Sequence, residues 1–203
     1  MSREINFFSL NEYYHLYNRG TEKRSIFNDD ADLQRFLSLL YLCNSLPTLH
    51  RSNYLRKPSE VLFATSRKNT LVNIGAYCLM PNHFHLLIKE AKEGGASLFM
   101  QKLSTSYTMY FNKRYERTGA LFQGRFRAEH VANDNYLKYL FAYIHLNPIG
   151  IIDSKWKVHL LDNRRKAKQH LQKYKYSSYL DYVTNIRRPE SVIINKSVFP
   201  NYF

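Results

Sequence analysis

The stretch Leu71-Val72-Asn73-Ile74-Gly75-Ala76-Tyr77-Cys78-Leu79-Met80-Pro81-Asn82-His83-Phe84-His85-Leu86-Leu87-Ile88 decides the architecture. Two apolar runs flank Pro81-Asn82, a pair that favours a turn or bulge. They read as two antiparallel strands, or as one sharply bulged strand. Residues i and i+2 of a strand point to one face. His83 and His85 therefore stand side by side, with Phe84 on the opposite face. Two imidazoles so placed can hold one divalent cation with a third ligand from elsewhere. The same pair also suits the wet face of a strand, and the pair by itself leaves both readings open. Leu87 occupies the place where a third alternating histidine would stand.

Upstream, residues 11–18 are aromatic-rich and read as a strand, closed by Arg19-Gly20-Thr21. Asp29 or Asp30 is placed to cap a helix whose Leu33, Phe36, Leu37, Leu40 and Tyr41 recur at spacings of three and four. Residues 45–70 are polar and mixed, a loop or a short helix. Downstream, Gly94-Gly95 breaks the chain, and Ser97 is the expected cap of a helix over residues 98–115. Residues 121–131 read as a further strand. Asn133 or Asp134 caps a helix over residues 135–146, which Asn147-Pro148 is expected to stop, because proline disfavours helical geometry in the residue before it. Strand, helix, strand, strand, helix, strand, helix is the order of an α+β sandwich around an antiparallel sheet.

The last of these helices carries Tyr136, Tyr139, Tyr143 and Asn147 along one face. Tyr136 and Tyr139 are expected as core residues. Tyr143 reads equally as core or as nucleophile. A tyrosine hydroxyl, with an ordinary pKa of about 10, is a weak nucleophile that a divalent cation on the target phosphate would assist. The Asn147 amide oxygen, one turn on, is able to ligate that cation or to cap the helix. His145 lies well round the helix from Tyr143 and is left off the site.

Composition bounds the partner. The 203 residues hold 30 Lys plus Arg against 16 Asp plus Glu, a net +14, together with 17 Tyr, 13 Phe and one Trp. Cations track phosphates and rings stack on bases, so this balance suits a nucleic acid. After Gly150 the texture turns basic, with a net +7 over residues 151–203. The chain divides on this reading into a domain over 1–150 and a partly helical basic extension over 151–203. No apolar run is long enough for a membrane span and the N-terminus lacks a signal-like pattern. Cys43 and Cys78 form no framework. A cytoplasmic chain is expected.

Met80-Pro81-Asn82-His83-Phe84-His85-Leu86-Leu87 resembles the His-hydrophobic-His (HUH) motif of single-tyrosine transposases, and Tyr143-Ile144-His145-Leu146-Asn147-Pro148 resembles their tyrosine helix. Tyr14-His15-Leu16-Tyr17-Asn18-Arg19-Gly20 is similar to their opening strand, and Leu121-Phe122-Gln123-Gly124-Arg125-Phe126 to their central block. Lys175-Tyr176-Ser177-Ser178-Tyr179 is similar to the tail of the REP-associated branch. Five motifs in order, over residues 12–180, make the REP-associated tyrosine transposases the group this chain resembles most.

The resemblance implies a ferredoxin-like α+β sandwich with the HUH strand central in an antiparallel sheet and helices on one or both faces. It implies Mg²⁺ or Mn²⁺ on His83 and His85, with Asn147 at the position of a third ligand, and Tyr143 as the nucleophile. The substrate implied is single-stranded or hairpin DNA, cut through a 5′-phosphotyrosine. A domesticated hairpin binder without strand transfer, or an RNA binder, would share the basic composition. Relatives include monomers and homodimers, so both states stay open. Arg19, Arg125 and Arg127 are candidate phosphate contacts, and Arg164, Arg165 and Lys166 a candidate grip on a hairpin stem. The same charges also suit solvated faces.

Overall fold

The computed structural model describes residues 8–54, 57–156 and 164–202. The histidine stretch folds as two strands, β2 over Val72–Met80 and β3 over His83–Glu90, joined by Pro81-Asn82 and paired antiparallel from Met80↔His83 onward. A register shift falls between Ile74 and Ala76. Gly75 sits there because a Cβ would lie 2.5 Å from the Phe199 ring. On the other side of β3 lies β1, Tyr13–Arg19, and beyond it β4, Arg127–His130. The four-stranded order is β2-β3-β1-β4, with every pair antiparallel. The α+β class and the antiparallel sheet expected from the sequence are what the chain forms.

Helix α1 spans Asp30–Leu42, and the Asp29 carboxylate accepts from the Asp32 N–H as an N-cap. A short α2, Ser59–Phe63, occupies the polar insert. Helix α3 spans Gly95–Arg114 and begins earlier than its expected Ser97 cap. Gly94 takes the cap position at φ 69°, and a Cβ on Gly95 would stand 2.2 Å from the Leu71 carbonyl oxygen. Close backbone approach, rather than a hydroxyl cap, sets this start. The strand expected over residues 121–131 also shortens to β4, because Gly124, at φ 102°, turns the preceding segment into a loop.

Helix α4, Asp134–Leu146, is capped by the Asn133 side chain accepting from Tyr136 N–H. It stops at Leu146, as Asn147-Pro148 leads one to expect. Asn147 keeps helical angles (φ −51°, ψ −37°), and the chain continues into a single turn, α5, Ile149–Ile152. Both the backbone and the side-chain N–H of Asn147 donate to the Tyr143 carbonyl, at 3.1 and 2.9 Å, and hold the geometry that Pro148 disfavours. Pro148 itself tolerates the start of a helical turn, where no N–H is needed.

Helices cover both faces of the sheet. Leu16, Phe84, Leu86 and Ile88 pack with Phe36 and Leu40 of α1 and Phe99 and Leu103 of α3 in the larger core. Ala76, Cys78 and Leu87 pack on the other face against Leu137, Leu140, Phe141 and Ile144 of α4. Alternation thus places His83 and His85 on the same side of the sheet as the tyrosine helix.

Beyond α6 (Arg164–Lys173), residues 174–199, with α7 (Tyr179–Val183), run along the outer edge of β2. Leu79 N–H donates to Tyr176 O, Ser178 N–H to Tyr77 O and Asn195 N–H to Ile74 O. An edge that would otherwise present unpaired backbone is covered. His145 turns toward this segment: its Nε2 lies 2.7 Å from Ser178 Oγ, and burial pushes its pKa down to about 3. Arg188 fastens the segment, donating to both Asp181 oxygens (2.9 and 2.5 Å) and to the carbonyls of Lys175 and Ser177. The Asp181 side chain is fully buried. Arg188→Ala would leave that carboxylate uncompensated, at a cost of about 3–5 kcal/mol. Denaturant unfolding is expected to show the loss, with a fall in Tm of roughly 10 °C; a change below about 1 kcal/mol would mean the pair contributes little. Among the described residues, no helix is long and apolar enough to cross a membrane.

Candidate active site

A cleft of about 460 Å³ opens on the α4 side of the sheet, and Arg19, His83, His85, Arg125, Arg127 and Tyr143 all line it. Strand pairing explains the assembly. Arg19 lies opposite His83 and Tyr17 opposite His85 across β1 and β3, and Tyr17 also faces Arg127 across β4. Arg125 comes from the loop before β4. That loop is held over the cleft by Asn18 Nδ2 donating to Gly124 O and by Arg19 Nε donating to Gln123 Oε1.

Tyr143 meets the cleft edge-on to His85, ring centroids 5.5 Å apart at 77°. His83 and His85 are 5.0 Å apart, also edge to face. Behind the nucleophile candidate the rings form a row. Tyr136 stacks on Tyr139 at 6.3 Å, Tyr139 on Tyr143 at 6.1 Å and Tyr143 on Trp156 at 6.3 Å. The expectation that Tyr139 is a core residue is corrected here, since it is 61% exposed. Helical spacing places a residue on a face but not on a buried one, and α4 turns this edge to solvent.

Each histidine of the pair has Nδ1 engaged. His83 Nδ1 is 2.6 Å from Asn82 Oδ1, and His85 Nδ1 is 2.8 Å from His15 Nε2. Because Asn82 Oδ1 accepts, His83 Nδ1 carries the proton. His15 is buried, and burial pushes its pKa down to about 4 despite the opposing pull of Glu129. The neutral His15 ring has one proton, and the Glu129 carboxylate, 3.7 Å from its Nδ1, favours that nitrogen. His15 Nε2 then accepts from His85 Nδ1. Glu129 is itself held by hydrogen bonds from the Tyr17 hydroxyl (2.7 Å) and the Tyr136 hydroxyl (3.2 Å). The Tyr17 bond pulls the Glu129 pKa down, while burial and the same carboxylate push the Tyr17 hydroxyl up to about 12. Both tautomers put the proton on Nδ1 toward an outer partner, the arrangement that orients ligating imidazoles. The donor set therefore fits a divalent metal.

His15 and Glu129 were not singled out from sequence. The signal was available for His15: it shares the spacing of two with Tyr17 and Arg19 that marks His83 and His85. Asn147 is buried beside the site but is not among the residues lining the cleft. Arg164, Arg165 and Lys166 are exposed on α6, away from those walls.

Residues 9–147 match the family model described as "Transposase IS200 like", well over half of the chain. The chain belongs to the IS200-like transposase family. Membership makes it a transposase, a protein whose substrate is DNA. The transposase is similar in structure to a REP-associated tyrosine transposase solved bound to a REP hairpin. The likeness covers 100% of this chain and 91% of that one, with a TM-score of 0.53 at 12% identity, and speaks for the fold. A second solved structure, tRNA(His) guanylyltransferase from Saccharomyces cerevisiae, aligns over 98% of this chain and 86% of its own at 11% identity with a TM-score of 0.38. No curated protein matches the chain.

Proposed function

We propose that this transposase is a metal-dependent single-stranded DNA endonuclease and strand transferase, acting at hairpin or palindromic DNA through a 5′-phosphotyrosine at Tyr143. The observation that carries the reading is the Tyr143 ring set edge-on to His85 in a cleft with three arginines. Arg19, Arg125 and Arg127 bind the phosphates on either side of the scissile bond and screen the incoming charge. The stacked rings of Tyr139 and Trp156 fix the Tyr143 ring and offer faces to unpaired bases. Tyr143 Oη attacks phosphorus, forming an O–P bond as the P–O3′ bond breaks. The phenolic proton leaves to solvent, and the departing oxygen takes one up as a free 3′-OH. Attack by another 3′-OH on the phosphotyrosine reverses the bond changes and joins strands without an external energy source.

His83 and His85 would hold Mg²⁺ or Mn²⁺ through Nε2, with Asn147 Oδ1 as a third donor. Bound there, the cation supplies Lewis-acid polarisation of the scissile phosphate. The Asn82 and His15 contacts keep both rings turned for this task. His15→Ala removes the partner of His85, and a 10- to 100-fold weaker Mn²⁺ affinity is expected, as for other orienting partners of metal ligands. Titration of free Mn²⁺ by electron paramagnetic resonance reads the change; unaltered affinity would assign the orientation of His85 to another contact.

The test of the function is incubation with single-stranded hairpin DNA and Mn²⁺, resolved on denaturing gels. A covalent protein–DNA adduct supports it. Hairpin binding with no adduct on cognate flanking DNA would leave a structure-specific binder, and equal affinity for single-stranded RNA an RNA-binding protein.

A further inference from the structure

On the far side of the sheet from the catalytic cleft, α1, α3 and the loop over residues 46–52 enclose a groove of about 1010 Å³. Its cations are Arg35, Arg51, Lys102, Lys113 and Arg114, and no Asp or Glu lines it among the described residues. Arg114 is neutralised at one end by Asp29 and Asp32. Arg35 and Arg51 are different. Arg35 Nε and Arg51 Nε and Nη1 are buried and have no hydrogen-bond partner among the described residues. Buried donors of this kind are ordinarily satisfied, and an unpaired guanidinium N–H is costly. The two guanidinium groups also repel each other, and Arg35 is depressed by burial and by Arg51. Arg35 is balanced only in part by the Tyr110 ring, 4.9 Å from its guanidinium, so two like charges with unfilled buried donors make the groove attractive to an anion.

We propose that this groove is a second DNA-contact surface, which takes the phosphodiester backbone of the substrate outside the cleavage cleft. The shape and chemistry favour a strand over a small anion. Lys102 and Lys113 lie eleven residues apart along α3, about 16 Å at the helical rise, so the cations spread over several phosphate spacings instead of converging on one point. Thr105 and Ser106 lie between them as donors, and Met109, 69% exposed, offers an apolar surface to sugar or base. Polyanion binding by separated cations, hydroxyls and apolar faces is the pattern of nucleic-acid surfaces. The cleft and the groove open on opposite faces of the sheet, so a DNA engaged by both must wrap past its edge. The proposal rests on the transposase reading.

The test uses the full chain carrying Tyr143→Phe, so that binding is measured without turnover. A fluorescein-labelled DNA hairpin with single-stranded flanks is titrated by anisotropy across a salt series. Arg35→Gln with Arg51→Gln is expected to weaken binding and to lower the log–log salt slope by about 0.7–0.9 for each phosphate that is no longer neutralised. Lys113→Gln, at an exposed position, keeps the test valid if the arginine pair disturbs folding, which thermal melting would reveal. In parallel, acetylation of the exposed Lys113, read by mass spectrometry, is expected to fall when the hairpin is bound. Unchanged slopes in both variants, or protection by inorganic pyrophosphate but not by the hairpin, would overturn the proposal. On the wild-type chain, absence of any covalent adduct with the groove slopes intact would instead sink the endonuclease reading and leave the groove standing.

Discussion

Tyr143→Phe is expected to abolish covalent adduct formation and strand cleavage while DNA affinity stays within about twofold of wild type. The substitution removes one oxygen and leaves the ring, and with it the stacking on Tyr139 and Trp156 and the edge contact to His85. No cation is removed, so the electrostatic part of binding is untouched. Loss of a nucleophile costs its full covalent route, a fall of about 10⁴-fold or more, to background. Denaturing gels for the adduct and anisotropy for affinity separate the two effects. The geometry also names the rival: Tyr139 is stacked on Tyr143 and exposed. An adduct that persists in Tyr143→Phe and vanishes in the double variant with Tyr139→Phe would move the nucleophile one turn back.

The second large effect is expected from the histidine pair. His83→Ala or His85→Ala should reduce metal-supported cleavage by about 10³-fold, the scale of removing one preorganised electrostatic contributor to a transition state, and should do so without removing DNA binding. The two variants differ in their collateral. His83 is half-buried and held by Asn82, so its loss empties a partly solvated position. His85 is buried against His15 and Tyr143, so its loss also leaves His15 Nε2 without its partner and is expected to lower Tm as well as activity. Mn²⁺ affinity measured on the folded variants checks the assignment. Cleavage that survives in both at the wild-type rate would remove the pair from the chemistry.

Much of the fold was legible because its signals are local. Asp29 and Asn133 cap the helices for which they were expected, since an N-cap depends only on a side chain and the next few amides. The hairpin at Pro81-Asn82 likewise follows from turn chemistry between two apolar runs. The misplaced boundaries have non-local causes. Helix α3 starts early because Gly95 packs on Leu71, and the segment before β4 loops because Gly124 turns it over β1. At Asn147, by contrast, two local hydrogen bonds to Tyr143 O hold helical angles against the preference imposed by Pro148, and α4 still ends at Leu146 as expected.

The candidate site divides in the same way. Residue order and the period of two are properties of the chain, so the sequence alone determined the α+β class, the shared face of His83 and His85, the position of Tyr143 on a helix and the polyanion-seeking charge. Which elements lie against one another is a property of packing. Only the tertiary structure decided that β1 sits beside β3, which brings His15 to within 2.8 Å of His85 and Glu129 behind it. Packing also laid the tail along β2 and left Arg35 and Arg51 with buried donors that are unpaired among the described residues, across the sheet from the cleft. A hydrogen bond reaches about 3 Å, and partners seventy residues apart in the chain come within that reach only after the sheet has formed.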